Sequence, residues 1–235
     1  MPVNSQLYEE ISSELQQKNV TLIAVSKTKP VEDIFDLYEL GQRDFGENYV
    51  QELIEKYRRL PKDIRWHFIG HLQSNKVKLI APFVHLIHSV DGEKLLKEIS
   101  KEAKKNNRII DCLLEVYIAK EETKFGLDAR EIEEIIIRVS GKNNKNNTNS
   151  QDENPFQNIC IKGLMGMASF TDNKEIVRRE FHFLKSLFDK LKTKNSELQT
   201  ISMGMSADYK MAIEEESNMV RIGSLLFGKR KPKGE

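Results

Sequence analysis

The sequence predicts a (β/α)8 barrel of the TIM type. Apolar, strand-like segments alternate with amphipathic helical segments, and eight such strand segments occur within 235 residues. The strict alternation indicates parallel strands, because each crossover between parallel neighbours needs a helix. A doubly wound open sheet is the alternative architecture, but the glycine-rich dinucleotide fingerprint that often follows its first strand is missing.

In the first half of the chain, each apolar run precedes a segment with helical periodicity. The run TLIAVS leads into the helix VEDIFDLYELG. Ile34, Leu37 and Tyr38 share one face of that helix, and a glycine marks its end. Three further pairs follow in the same order: DFGE with NYVQELIEKYRRL, RWHFIG with SNKVKLIAPF, and LIHSV with GEKLLKEISKEAKKN.

The second half repeats this order around one segment of different composition. Its strand and helix pairs are IIDCLLEVYI with AREIEEIIIRVS, ICIKGLMGM with NKEIVRREFHFLKSLFDKLK, and TISMGM with ADYKMAIEEE, and MVRIGSLLFG comes last. The Asn-rich segment at 141–158 is too polar to offset its ordering entropy by burial. We therefore predict one barrel domain over 1–235, with a mobile insertion at 141–158 on the face opposite the active site.

Composition argues against several classes of partner. The net charge is +1 and 31% of residues are charged, which gives no electrostatic footprint for nucleic acid or an anionic membrane. Neither a secretory signal nor an apolar run of about 20 residues is present. Cys112 and Cys160 lie in apolar runs without a CxxC pair, which indicates reduced thiols. These features predict a soluble, cytoplasmic protein.

Lys27 follows the first strand directly, which is an unusual position for a lysine. It lies on the same alternation face as Ile23 and Val25, so its amine is expected at the mouth of the barrel, where active sites of this fold lie. Partial desolvation there disfavours the ammonium form and makes the amine a nucleophile toward carbonyls. A lysine that merely extends to solvent is the alternative that spacing alone leaves open.

The loops after strands 7 and 8 contain residues suited to a phosphate. Gly204 allows close backbone approach, and Ser206 is a plausible helix cap. Arg221 projects from strand 8, and Gly223 with Ser224 can form a small amide nest. A carbonyl-seeking lysine and a phosphate cradle on one face suggest an aldehyde that carries a phosphate. Pyridoxal 5′-phosphate (PLP), the vitamin B6 cofactor, meets both requirements.

Five separated motifs resemble those of the pyridoxal phosphate homeostasis protein family. They are IAVSKTKP, FGENYVQE, WHFIGHLQSNK, GLMGM and SMGMSADYKMAI…MVRIGSLLFG. The resemblance extends from Leu22 to Gly228, apart from the Asn-rich segment. It implies a barrel of the alanine racemase N-terminal-domain type, fold type III.

The resemblance also implies roles for individual residues. Lys27 would form the Schiff base with PLP, and Asn48 would line the site beneath the ring. Ser206 and the amides of Gly223 and Ser224 would hold the phosphate. The remaining two implied contacts are Met203, packed near the cofactor, and Arg221, facing the pyridine nitrogen.

These expectations favour carriage of PLP over catalysis. A permanent cation beside the ring nitrogen disfavours its protonation and weakens the ring as an electron sink. The chain continues for seven residues after Gly228, and related racemases carry a second domain with an acid–base tyrosine, according to the resemblance. We predict a monomer or weak dimer that binds PLP without turnover and delivers it to apo-enzymes. The alternatives are a PLP-dependent racemase or lyase, and an aldolase-type Schiff-base enzyme without cofactor.

Three residues depart from the family pattern. Tyr117 replaces an asparagine at the end of strand 5, and Glu216 and Asn218 replace a small residue and a threonine before strand 8. These changes are expected to alter access to the site or its affinity.

His67 and His71 lie on a strand and a turn rather than one helical face, so no metal site is predicted. His67 is expected to hydrogen-bond within the site wall.

Overall fold

A computed structural model describes residues 3–119, 126–140 and 154–228. Eight parallel strands close into a barrel, in which each strand pairs with the next and the last pairs with the first. The predicted (β/α)8 fold is therefore confirmed, and the open sheet is wrong. The strands are β1 Thr21–Val25, β2 Asp44–Glu47, β3 Arg65–Phe68, β4 Leu86–Val90, β5 Ile110–Val116, β6 Ile159–Gly166, β7 Thr200–Met205 and β8 Met219–Ile222.

Helices surround the barrel, and α2 to α8 connect consecutive strands as the alternation predicts. Their bounds are α1 Ser5–Gln17, α2 Val31–Glu39, α3 Val50–Arg59, α4 Val77–Ile80, α5 Glu93–Lys105, α6 Ala129–Ser140, α7 Lys174–Lys192, α8 Tyr209–Glu214 and α9 Ser224–Phe227. Within these described parts of the chain, none of the helices combines the length and apolar character that a membrane span requires.

The sequence pattern does not predict α1 or α9. Helix α1 begins where the Asn4 side chain accepts a hydrogen bond from Leu7 N–H, and it buries Tyr8, Ile11 and Leu15. It packs beside α9 and β1. The last strand ends at Ile222 rather than continuing, because the chain turns into α9. These two helices cover the barrel next to the seam between β8 and β1.

Side chains of the strands alternate between the helix layer and the barrel interior. In β1, Leu22 and Ala24 join the main apolar cluster, which lies between strands and helices. Ile23 points the other way and belongs to a small cluster inside the barrel, together with Leu86, Leu113, Met165 and Met219. Because the strands are parallel, their C-terminal ends share one end of the barrel, here called the upper end.

The structure describes only the last part of the segment predicted as an insertion at 141–158. Phe156 is buried, and Asn158 N–H donates to Ser100 Oγ at 3.3 Å. Packed structure therefore resumes earlier than the composition predicts, because Phe156 contributes apolar surface to the core. Residues 141–153 lie outside the described residues, so the predicted mobility of this segment stays a prediction.

Candidate cofactor-binding site

A cavity of about 550 Å³ opens at the upper end of the barrel. This volume is within the range that small-molecule sites occupy. Six of the seven residues predicted for the site line it: Lys27, Asn48, Ser206, Arg221, Gly223 and Ser224. The fold therefore brings residues from the N-terminal and C-terminal parts of the chain together around this cavity. Sequence reasoning missed four apolar side chains of the wall: Ile69, Met167, Phe170 and Met205.

Lys27 reaches the cavity because of the alternation in β1. Ile23 packs inside the barrel, and Val25 and Lys27 both line the cavity above it. The residues on either side of the lysine are fixed by carboxylates. Ser26 Oγ donates to Glu47 Oε1 at 2.6 Å, and Thr28 N–H donates to Glu52 Oε1 at 2.6 Å, with Thr28 in the left-handed region at φ 64°.

Those two carboxylates meet at the buried ammonium of Lys56. Its Nζ donates to Ser26 O at 2.7 Å, to Glu47 Oε1 at 2.7 Å and to Glu52 Oε1 at 2.6 Å. The Lys56 and Glu47 side chains are 4% and 0% exposed. Burial raises the pKa of Glu47 to about 7, although the lysine opposes this shift. We call Glu47, Glu52 and Lys56 the carboxylate clamp, because they hold the backbone that carries Lys27.

Asn48 supplies an observation that points to a ligand. Its Oδ1 is buried and has no hydrogen-bond partner among the described residues. Buried polar atoms in native structures are nearly always partnered, so such an atom in a cavity-lining residue indicates a group that a ligand completes. The Asn48 backbone packs against Gly70, where an added Cβ would lie 2.4 Å from Asn48 O. Glycine at this position is therefore needed for the placement of Asn48.

The loops after β7 and β8 approach each other at the cavity. Gly204 has φ +95°, and an added Cβ would lie 2.5 Å from Ala212 Cβ, so glycine allows this loop to pack on α8. Ser206 Oγ accepts from Gly223 N–H at 3.2 Å. A hydroxyl that accepts one hydrogen bond can still donate its own proton. Ser206 is thus held with a donor available at the cavity wall, as an anionic group requires.

Arg221 projects from β8 into the barrel and lines the lower part of the cavity. Its Nη1 donates to Ser202 O at 2.9 Å and to Ser202 Oγ at 2.6 Å, and its Nη2 donates to Gly166 O at 3.1 Å. Burial lowers the pKa of Arg221 to about 10, which the negative charge of Glu115 opposes. The guanidinium therefore stays charged at neutral pH. Sequence reasoning missed Glu115, although a charged residue at an inward position of an apolar strand was the available signal.

Glu115 makes a pH dependence testable. Burial raises its pKa to about 7 from an ordinary 4.5, against the effect of Arg221 and with a further rise from Asp91. Between these pH values the folded state holds a proton that the unfolded state has lost, so stability from this group falls as pH rises. The difference in the free energy of unfolding between the wild type and Glu115→Gln should therefore fall as the pH rises from 4.5 to about 7. The fall is at most about 1.4 kcal/mol for each pH unit. Urea denaturation of both proteins at pH 5 and pH 7.5 measures this, and a pH-independent difference would contradict it.

Met203, the seventh predicted residue, does not line the cavity. Strand β7 directs Ser202 into the barrel and Met203 outward, into the main apolar cluster, where it is fully buried. Met205 lines the cavity instead. The placement follows from the two-residue period of a strand, since residues 203 and 202 must face opposite sides.

The residues that depart from the family pattern also lie away from the cavity. Asn218 is at the lower end of the barrel, where its side chain accepts from Ile201 N–H at 2.9 Å and donates to Gln199 O at 2.7 Å. It ties β7 to β8 there, and Glu216 lies two residues before it. Tyr117 follows β5 at the upper end but does not line the cavity. Glu216 and Asn218 therefore do not line the cavity, and their effect on access or affinity stays a prediction.

His67 faces the barrel interior below the cavity rather than its wall. Near the lower end, atoms of Asp44, His67 and His85 that could ligate a metal lie within 4.8 Å of one another. However, the Arg65 guanidinium already donates to both carboxylate oxygens of Asp44, and the His67 ring bonds to one of them at 3.0 Å. We therefore interpret this cluster as a hydrogen-bonded ion pair.

Comparison with known proteins places the chain in a family. The sequence model of the alanine racemase N-terminal domain matches residues 6–231. The pyridoxal phosphate homeostasis protein of Aquifex aeolicus is 42% identical over 212 residues, which cover 89% of this chain and 87% of that protein. The chain belongs to the pyridoxal phosphate homeostasis protein family. A member from Schizosaccharomyces pombe is 35% identical, with 94% of this chain and 90% of that protein covered.

Solved structures agree with membership of the pyridoxal phosphate homeostasis protein family. PipY of Synechococcus elongatus PCC7942 without PLP superposes with a TM-score of 0.85 at 31% identity, covering 95% of this chain and 99% of PipY. PipY with PLP bound gives 0.80 at 31% identity, with 94% and 100% covered. Alanine racemase of Clostridium difficile 630 gives 0.73 at 15% identity, covering 99% of this chain and 64% of the racemase, which shows a shared fold alone.

Proposed function

We propose that this protein binds PLP in the upper cavity as a Schiff base with Lys27 and holds it for PLP homeostasis in the cytoplasm, without turnover. The observation that carries the proposal is the position of Lys27. Its side chain lines a cavity that is also lined by Arg221, by Ser206 and by Asn48, whose buried Oδ1 has no partner among the described residues. The PLP found in PipY supports the same ligand here.

Different residues of the cavity would hold different parts of such a ligand. PLP supplies an aldehyde that condenses with an amine, and a ring that can accept electrons. The carboxylate clamp holds the Lys27 backbone at the cavity wall. Ser206 is positioned to donate to the phosphate while it accepts from Gly223 N–H. As the family resemblance implies, Arg221 would present its fixed positive charge to the ring nitrogen and would disfavour protonation of that nitrogen.

The titratable groups of the cavity support carriage over catalysis. Among the described residues, those lining it are Lys27, Lys29, Asp208 and Arg221. Lys29 Nζ donates to Phe227 O at 2.5 Å and to Gly228 O at 3.3 Å, so it is tied to the chain itself. A racemase needs two groups that exchange protons on opposite faces of the substrate. No histidine or tyrosine lines this described part of the wall, and the carboxylate of Asp208 already accepts from Met205 N–H at 2.5 Å.

A transfer experiment tests the proposal directly. Protein loaded with PLP is mixed with an apo-enzyme that depends on PLP, and recovery of that enzyme's activity is followed over time. The same loaded protein is incubated with amino acids and analysed by chiral chromatography. We expect activity to be restored and the amino acids to remain unchanged. Amino-acid conversion that disappears in Lys27→Ala would instead support a PLP-dependent racemase or lyase.

The role of Ser206 can be separated from the rest of the site. Ser206→Ala removes a donor to a charged group, so the dissociation constant for PLP should rise about tenfold or more. Binding of pyridoxal, which lacks the phosphate, should be unchanged. Parallel titrations of both ligands against wild type and variant measure this. An equal loss for the two ligands would place Ser206 away from the phosphate.

A further inference from the structure

A series of polar side chains runs through the barrel interior below the cavity. Barrel interiors are usually filled by layers of branched apolar side chains, and buried polar groups cost free energy unless they are hydrogen-bonded. Here five strands each contribute one inward polar side chain to a continuous series. We call it the buried polar chain: Arg221 from β8, Ser202 from β7, His88 from β4, His67 from β3 and Asp44 from β2.

Each member of the buried polar chain contacts the next. The distances are 2.6 Å from Arg221 Nη1 to Ser202 Oγ, 3.3 Å from Ser202 Oγ to His88 Nδ1, 2.9 Å from His88 Nε2 to His67 Nδ1, and 3.0 Å from His67 Nε2 to Asp44 Oδ1. Both ring nitrogens of both histidines therefore have partners. The chain links the cavity-lining arginine to a carboxylate at the lower end of the barrel.

The charges at the two ends fix the direction of the hydrogen bonds. Asp44 is ionised, because contacts with His67 and Arg65 hold its pKa at about 2 despite burial. At the other end Arg221 only donates, so among the described contacts the buried Ser202 hydroxyl can give its proton only to His88 Nδ1. Burial holds the pKa of His88 well below its ordinary value, so this ring is neutral and carries its own proton on Nε2, which it donates to His67 Nδ1. His67 then donates from Nε2 to Asp44.

This direction has a consequence at the cavity. The Ser202 hydroxyl proton points toward His88, so the lone pairs of Ser202 Oγ face the Arg221 guanidinium. Arg221 Nη1 donates to both Oγ and O of Ser202, and Nη2 donates to Gly166 O. Without an acceptor at His88, the hydroxyl could rotate and turn its proton toward the cation. Hydrogen bonds arranged in series also polarise one another, which strengthens the contact with the cation.

We propose that His67 and His88 are positioning residues for Arg221. Through Ser202, they hold the guanidinium in one orientation at the bottom of the cavity, toward the ring of the bound cofactor. This inference rests on the proposed function, since it takes PLP as the occupant of the cavity. The histidines touch neither the cavity nor the ligand and act only through the buried polar chain.

A double-mutant cycle tests whether the residues act as one unit. The variants are His88→Leu, Ser202→Ala and the two combined, each titrated with PLP and checked for fold by circular dichroism. Each single variant should weaken PLP binding about tenfold, because each disturbs a hydrogen bond to a charged group. The double variant should be no weaker than either single variant. Effects that multiply, or His88→Leu binding PLP as the wild type does, would overturn the proposal.

Two further variants distinguish positioning from general packing. His88→Asn retains an acceptor oxygen for the Ser202 hydroxyl and should recover most of the lost affinity. His85→Leu controls for the loss of any nearby imidazole, since His85 is exposed and its ring lies 5.3 Å from that of His67 but outside the buried polar chain. It should leave PLP affinity unchanged. A loss with His85→Leu equal to that with His88→Leu would refute a specific role.

Histidine NMR keeps the inference testable without the cofactor and without any variant. Nitrogen-15 spectra of the cofactor-free protein should show both His67 and His88 with the proton on Nε2. A proton on Nδ1 of His88 would overturn the inference even if PLP binds. If the wild-type protein binds no PLP in the titrations, the proposed function fails. The NMR measurement of the histidine tautomers needs no PLP, so it tests the buried polar chain separately.

Discussion

Lys27→Ala is expected to abolish covalent attachment of PLP while the barrel stays folded. The side chain lines the cavity and is not part of the apolar core, so its removal leaves packing intact. A phosphate contact through Ser206 should retain weak, non-covalent binding, whereas the Gly223 N–H, which the resemblance also assigns to the phosphate, donates to Ser206 Oγ instead. The yellow absorption band of the bound cofactor should disappear, and covalent stoichiometry should fall from about one per chain to none, since the nucleophile is gone.

Lys29→Ala is the matched control for this experiment. Lys29 lies two residues further along the same loop and also lines the cavity, but its amine donates to backbone carbonyls of Phe227 and Gly228. It should keep the absorption band. If the band were lost in Lys29→Ala and kept in Lys27→Ala, the assignment of the attachment site would be wrong.

Lys56→Met is expected to produce the largest loss of stability. At a pH well above 7, where Glu47 is ionised, it leaves that buried carboxylate without its countercharge, and breaking a buried ion pair in this way costs about 3 kcal/mol or more. Because the carboxylate clamp holds Ser26 and Thr28, PLP uptake should also weaken. Urea denaturation of the cofactor-free protein measures the first effect, and PLP titration measures the second.

Arg59→Met, in the same helix α3, provides the comparison. Arg59 is about half exposed and its contacts with Glu32 and Glu55 are surface ion pairs. Such pairs contribute little, so the free energy of unfolding should change by no more than about 0.5 kcal/mol. Equal effects of the two substitutions would show that the clamp has no special role.

The sequence predicts the barrel and Lys27 well because both depend on local periodicity. Eight apolar runs separated by helical segments are compatible with few folds other than this barrel. The alternation of side chains along β1, counted from Ile23, places Lys27 at the cavity. The same rule explains the error for Met203. The family resemblance suggested its role, but alternation in β7 sends its side chain outward while Ser202 points inward.

Contacts across the barrel could not be predicted in this way. Glu52 and Lys56 are spaced for a helical pair, yet nothing local shows that Glu47 joins them in the interior. Likewise, His88 and Ser202 are far apart in the chain and meet only because β4 and β7 face each other across the closed barrel. Periodicity assigns a side chain to a face, whereas its partner depends on the tertiary fold.

Borohydride reduction followed by peptide mass spectrometry tests the central claim most directly. The protein is incubated with PLP, reduced, digested and analysed for the added mass. A single modified peptide with the mass on Lys27, at about one per chain, is the predicted result, because only an amine condensed with the aldehyde is trapped. A modification spread over surface lysines, or none at all, would contradict the account.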